Sequence, residues 1–220
     1  MCGRYGRRGD KQRIAEAFHV SAGLADPAPD EPAFAETFDA APGSLQPVVL
    51  AERGERDLSL MRWGFKLPDR LLFNVRSEGV AAASFWKDKF AASRCLVPAS
   101  SYFEWQNCDT RPKPKYEIDI PGREYFGIAG VWAPWKNPKT GAWEQTFSTF
   151  TSGPNARIAQ IHTRQPVVIG PRDYDEWLAP AERPPLHLLR ILPEQEMRLT
   201  LLNPANPPAH GETRAPTLFG

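Results

Sequence analysis

Tyr125-Phe126-Gly127-Ile128-Ala129-Gly130-Val131-Trp132 is a continuous apolar run, followed by Asn137-Pro138-Lys139-Thr140-Gly141 and then by residues 145–152. The first and last stretches read as strands, and the Asn/Pro/Gly cluster between them reads as a hairpin loop. Working outward, Tyr116-Glu117-Ile118-Asp119-Ile120 alternates strictly, which predicts a strand buried on one face. Residues 47–50 and 58–65 flank Arg53-Gly54 and predict a second hairpin. Short strands are expected at 94–98, 101–105, 167–169 and 197–202. The helical readings are 10–20, with Asp10 as cap and Ile14, Ala17 and Phe18 on one face; 78–92, capped by Ser77 and anchored by Phe85, Trp86 and Phe90; 154–161, with Pro154 in its first turn; and 171–178. Residues 21–36, rich in proline, alanine and acid, read as a surface loop. Many strands with few short helices predict an α+β fold around a curved, largely antiparallel sheet.

The 220 residues suit one domain over 1–202 with a loose, proline-rich tail over 203–220. A 41% hydrophobic and 24% charged composition is that of a soluble globular protein, and no apolar run is long enough to span a bilayer. The amino end lacks the apolar core of a signal peptide. Three cysteines without C-x-x-C spacing give neither a zinc signature nor a disulfide framework, so a reducing cytoplasm is the expected setting. His19, His187 and His210 show no metal-ligand spacing. A net charge of +1 argues against a general polyanion coat and leaves room only for local basic patches, of which Arg4, Arg7 and Arg8 form one candidate. The 23 prolines predict many loops and short elements.

Four places carry chemistry. Cys2 becomes the first residue once Met1 is removed. It then joins an α-amine and a thiol on one carbon skeleton, both with reactive fractions near neutrality. Such an aminothiol condenses with an aldehyde to an imine, and the thiol then closes a five-membered thiazolidine. A disordered terminal residue is the plain alternative. Glu104, between Phe103 and Trp105, faces either water or a pocket; a pocket would raise its pKa and fit it for proton transfer. His162 precedes Arg164 and Pro166 in a loop that can present side chains to a ligand, although a lone histidine near a helix end is more often structural. Asn74 and Arg76 alternate with Phe73 and Val75. Both can project from one face, the asparagine as neutral donor and acceptor and the arginine as a fork for phosphate. Trp63 beside Gly64 reads as core or, if exposed, as a platform for a base. Cys95 reads as packing and Cys108 as incidental.

Taken together the stretches resemble the SRAP (SOS-response-associated peptidase) family. The matching pieces are Met1-Cys2-Gly3-Arg4-Tyr5, Ala41-Pro42-Gly43, Met61-Arg62-Trp63-Gly64, Asn74-Val75-Arg76-Ser77-Glu78, Arg94-Cys95-Leu96-Val97-Pro98-Ala99, Tyr102-Phe103-Glu104-Trp105 and Ile161-His162-Thr163-Arg164-Gln165-Pro166, in the family's order. Thr163 and Gln165 depart from the Asp and Met the family often carries. The resemblance implies a barrel-like fold and a sensor of abasic sites in single-stranded DNA that crosslinks to them through Cys2. It places Cys2, Asn74, Glu104 and His162 in the catalytic site. It puts Arg4, Arg76 and Arg164 at phosphates, and Trp63 and Pro42 against a base. It also implies autocatalytic removal of Met1 and a lyase side reaction. No cofactor or metal is required, no membrane is involved, and a monomer is expected. Two rivals are weighed against it. An N-terminal-nucleophile amidohydrolase or peptidase also opens Met-Cys-Gly, and a non-catalytic single-strand-binding module would use the same arginines and aromatics.

Overall fold

The computed structural model describes residues 2–21, 32–52 and 54–203. In chain order the strands are β1 (Tyr5–Arg7), β2 (Thr37–Ala40), β3 (Leu45–Glu52), β4 (Glu55–Trp63), β5 (Phe65–Lys66), β6 (Leu71–Leu72), β7 (Asn74–Arg76), β8 (Arg94–Ala99), β9 (Ser101–Trp105), β10 (Lys115–Asp119), β11 (Phe126–Lys136), β12 (Trp143–Ser152), β13 (Gln165–Pro166), β14 (Val168–Ile169) and β15 (Arg198–Leu201). The helices are α1 (Lys11–Ala17), α2 (Lys87–Ala92), α3 (Ala156–Ala159) and α4 (Tyr174–Leu178).

The expected hairpin of β11 and β12 is the seam of a closed ring. Gly130 lies opposite Thr149 and Lys136 opposite Trp143, antiparallel. From there the ring runs β12-β4-β3-β8-β11 and returns to β12, so five strands close on themselves. Closure removes the edges that an open sheet would expose. All of these pairings are antiparallel except β12–β4, and β7 adds a second parallel neighbour to β12. Gly130 sits where β11 threads between β8 and β12. A Cβ there would meet Cys95 Sγ at 2.7 Å and the Ser148 carbonyl oxygen at 3.2 Å. A second sheet, ordered β15-β10-β9-β1-β2, packs beside the ring.

Alternate residues of the ring strands feed two cores. Val48, Leu50, Cys95, Val97 and Ile128 pack with Tyr5, Tyr102 and Ile118 of the second sheet. Val49, Leu96, Ala129 and Val131 pack with Ile14, Phe90 and Trp177 of the helices. Burial on both faces is why the 125–132 run shows no period of two.

The helices are shorter than expected. Asp10 does cap α1, its carboxylate accepting from the Arg13 amide at 3.1 Å. The buried residues are Lys11, Ile14, Ala15 and Phe18, while Ala17 faces solvent. The helix expected over 78–92 reduces to α2, because Gly79 adopts φ +78° and the chain passes through successive turns before Lys87. Ser77 therefore caps nothing. Its anchors remain useful: Phe85 and Trp86 pack edge-on against Phe65. In α3 the cap is Asn155, which accepts from the Ile158 amide at 2.9 Å, and Pro154 lies before it. The surface-loop reading falls largely on residues 22–31, and all but residue 203 of the tail reading falls on 204–220; both lie outside the described residues.

Candidate active site

Cys2 is drawn inside by β1. This strand lies between β9 and β2, with Tyr5 opposite both Tyr102 and Ala40. The pairing extends toward the terminus, where the Phe103 amide donates to the Arg4 carbonyl at 3.0 Å. Cys2 is consequently buried, and Asn74 Nδ2 donates to its carbonyl oxygen at 3.0 Å. Asn74 is itself held, since the Thr149 hydroxyl donates to Asn74 Oδ1 at 2.8 Å across the parallel β7–β12 pairing. The candidate phosphate-binding Arg7 is committed elsewhere. Its guanidinium is buried and donates to the Ala33, Phe34 and Ala35 carbonyls, clamping the segment that follows residue 31.

Glu104 lies on β9, where both faces are covered; the residue is only 3% exposed. Burial settles the choice between water and pocket in favour of the pocket. His162 leaves α3 with its amide donating to the Ile158 carbonyl at 2.8 Å, and the preceding Ile161 carbonyl accepts from Asn107 at 2.9 Å. The loop is pinned from below by Gln165, one of the two departures from the family pattern. Fully buried, it accepts from the Asn155 amide at 2.8 Å and donates to the Leu192 carbonyl at 3.2 Å. Thr163, the other departure, is exposed.

A Cys2 Sγ, a Glu104 carboxylate oxygen and a His162 ring nitrogen all lie within 4.8 Å of one another. Glu104 Oε1 stands 3.7 Å from His162 Nδ1 and is buried without a hydrogen-bond partner among the described residues. His162 Nδ1 lies 3.0 Å from the Arg164 carbonyl oxygen and 3.1 Å from the Arg164 amide, so its tautomer decides which of the two it bonds. The Cys2 thiol also points at the Arg164 carbonyl, at 3.6 Å. Burial pushes the Glu104 carboxyl above its ordinary range, and this outweighs the opposing pull of the Cys2 thiol and His162. Burial, followed by the nearby Glu104 charge, pushes the Cys2 thiol up. A raised carboxyl beside an imidazole and a thiol is equipped to pass protons at neutral pH.

The candidate DNA contacts divide. Arg76 is exposed and, among the described residues, makes no ion pair. Arg4 is partly exposed and pairs with Asp39 at 3.3 Å. Pro42 is half-buried at the turn before β3 and borders a surface groove with Arg62 and Lys66. Two expectations are corrected. Trp63 is 2% exposed, packed between Tyr5 and Phe147, with its indole N–H donating to the Phe73 carbonyl at 3.0 Å. It is core and offers no face to a base. Arg164 is folded inward: it binds both Glu78 carboxylate oxygens at 2.8 Å and donates to the Thr151 carbonyl at 2.5 Å, so it braces the His162 loop. The residues not foreseen line the mouth. Trp105, 36% exposed, and Lys113 border a cleft of about 360 Å³ together with Glu104, Asn107, His162 and Thr163. Trp105 ends a strand whose other residues are buried, and that end position was the available signal. Tyr102 lines a small void with Cys2, its hydroxyl buried and unpartnered among the described residues.

The model of the SOS response associated peptidase (SRAP) family matches residues 1–204. The abasic site processing protein YoqW of Bacillus subtilis is 26% identical over 199 residues, covering 87% of this chain and 86% of its own length. The abasic site processing protein HMCES of Xenopus tropicalis is 26% identical over 199 residues, covering 74% of this chain and 59% of its own. Among solved structures, a protein from Bacteroides thetaiotaomicron superposes with a TM-score of 0.78 at 18% identity over 92% of each chain, which shows a shared fold. Among the described residues no helix is long and apolar enough to cross a membrane.

Proposed function

The chain belongs to the SOS response associated peptidase (SRAP) family, and from that premise and the geometry around Cys2 we propose that it processes abasic sites in single-stranded DNA by crosslinking to them. The observation that carries this reading is the burial of Cys2 against Glu104 and His162, with Asn74 holding its carbonyl. A cysteine placed this way is held by the fold among proton-transfer groups and is not a loose end. Removal of Met1, by this site or by an aminopeptidase, precedes the chemistry, since it frees the Cys2 amine.

The sugar of an abasic site equilibrates with an open-chain aldehyde. His162 moves a proton at the ring oxygen to favour the open form. The Cys2 amine then adds to C1′, and Glu104 delivers the proton that lets the hydroxyl leave as water, giving the imine. Sulfur next adds to the imine carbon while the thiol proton passes to nitrogen, which closes the thiazolidine. If a base removes a C2′ proton from the imine before closure, the 3′ phosphate is eliminated. This is the lyase side reaction. Arg76, Lys113 and Arg4 suit flanking phosphates, and Trp105 takes the stacking role first assigned to Trp63. Phosphate contacts and stacking carry little base information, so sequence preference is slight.

The test mixes single-stranded DNA holding one abasic site with protein whose mass shows Met1 removed, and resolves the products on a denaturing gel. A heat-stable shifted band that disappears in Cys2→Ala supports the reading. Folded, processed protein that gives no such band overturns it. A strictly non-covalent binding module predicts equal retention of DNA by wild type and Cys2→Ala and no band in either.

A further inference from the structure

We propose that the same three side chains form a binding site for one thiophilic divalent cation, with zinc as the best fit, and that the bound ion holds the aminothiol in an unreactive state. The metal site is argued from the donors alone. The inhibitory half rests on the crosslinking reading above.

The donor set is thiolate, imidazole and carboxylate, three ligand types that zinc accepts together. With metal–ligand distances of about 2.0–2.3 Å in a tetrahedron, donor atoms around one ion sit roughly 3.3–3.8 Å apart. Here all three lie within 4.8 Å before any ion is present, and the His162 Nδ1 to Glu104 Oε1 separation is already 3.7 Å. Small side-chain rotations complete the triangle. Glu104 Oε1 adds a second, independent observation: a buried carboxylate oxygen with no hydrogen-bond partner among the described residues is a group a cation would satisfy. His162 Nδ1 is engaged by the Arg164 backbone, at 3.0 Å from its carbonyl oxygen and 3.1 Å from its amide, so an ion bound through Nδ1 would have to displace that contact.

Met1 removal adds a fourth donor. The freed Cys2 amine and its thiolate chelate one ion in a five-membered ring, so the processed protein offers sulfur, two nitrogens and an oxygen. On binding, the thiol, the ammonium and a protonated Glu104 carboxyl each release one proton to solvent, and no electron moves. The lone pairs that would attack an aldehyde are then both held by the metal. Trace metal would thus decide whether the crosslinker is armed.

The experiment uses processed, metal-free protein. Zinc affinity is read by competition with a chromophoric chelator, and cobalt(II) serves as the spectroscopic probe. The expected result is one cobalt per chain with a thiolate-to-metal charge-transfer band in the near ultraviolet. Cys2→Ser should abolish that band, and Glu104→Gln and His162→Ala should each weaken zinc at least about tenfold. Cys108→Ser, a half-exposed thiol outside the site, should change nothing. The Met1-retaining protein should bind more weakly than the processed form. Absence of the band, or zinc uptake that survives Cys2→Ser in folded protein, overturns the metal site. Crosslinking is then measured in chelator and in one equivalent of zinc. Crosslinking that proceeds equally in both overturns the inhibition. Crosslinking absent even in chelator sinks the DNA reading, and with it the inhibitory half, while leaving the metal result intact.

Discussion

Replacing Glu104 by glutamine should make the protein more stable and less active, and the two effects should depend differently on pH. Glu104 is almost wholly buried, and its Oε1 has no hydrogen-bond partner among the described residues. An unsatisfied buried acceptor costs about 1–3 kcal/mol, more if charged. Glutamine keeps the shape and removes the charge, so a gain of about 1 kcal/mol is expected once wild-type Glu104 is ionised, or about 2–4 °C in Tm for a chain of this size. The sign follows from proton binding. Burial raises the folded-state pKa above that of the unfolded chain. Between the two values the folded protein holds a proton that the unfolded chain has lost, so wild-type stability is complete below the unfolded pKa and falls as pH rises through the folded one. Glu104→Gln lacks this loss. Its advantage should therefore be absent below the unfolded-state pKa and grow as pH rises through the folded one, which thermal scans from pH 4 to pH 8 would read. Crosslinking, followed on denaturing gels in single-turnover conditions, should slow by about 10²–10⁴-fold, the usual loss on removing a general acid–base. A variant that is less stable by the same amount at pH 4 and pH 8 would show that Glu104 is a structural partner. An unchanged crosslinking rate would remove it from the chemistry.

The two tryptophans should separate core from surface. Trp63→Ala should cost about 3–5 kcal/mol and at least about 6 °C in Tm; Trp105→Ala should leave Tm nearly unchanged but weaken single-stranded DNA binding about tenfold, and the reverse pattern would restore Trp63 as the stacking residue. Arg76→Ala should reduce the slope of log affinity against log salt by about 0.7–1 without changing preference between sequences, as filter binding at several salt concentrations would show. Tyr102→Phe removes a buried hydroxyl that has no partner among the described residues, so stability should hold or rise by about 1 kcal/mol in denaturant melts; a loss of that size would mean the hydroxyl has a bonding role.

What the sequence makes legible is local. The β11–β12 and β3–β4 hairpins are readable because their turns are punctuated by Asn, Pro and Gly and because partners lie close in the chain. The ring closure is not, since β12 also takes β4 and β7 as parallel neighbours, and no periodicity encodes a partner some 80 residues away. Gly79, in a left-handed conformation, overrides the helical composition of residues 80–86. The side chains of the site are similarly divided. Alternation left Glu104 undecided because β9 is covered on both faces, and nothing near Arg164 in sequence announces that Glu78 will occupy its guanidinium. Residue chemistry alone nominated Cys2, Asn74, Glu104 and His162 singly. Only the resemblance joined them, and the fold supplies the distances.

The placement of the terminus explains why those distances can be short. The first residues of a chain normally have one free end and little reason to be ordered. Here β1 is an interior strand, with β9 on one side and β2 on the other, and its pairing continues through the Arg4 carbonyl. That fixes Gly3 and Cys2 within a residue or two of a rigid sheet. Arg7 reinforces the anchor from below by binding three consecutive carbonyls. Asn74, on β7 beside the ring strand β12, then holds the Cys2 carbonyl, so Cys2 is tied to both sheets at once. The proposed chemistry asks of this arrangement only that Met1 removal free the nitrogen of Cys2. Cys2, Glu104 and His162 already stand within 4.8 Å of one another, so the proposed processing step requires no rearrangement of them.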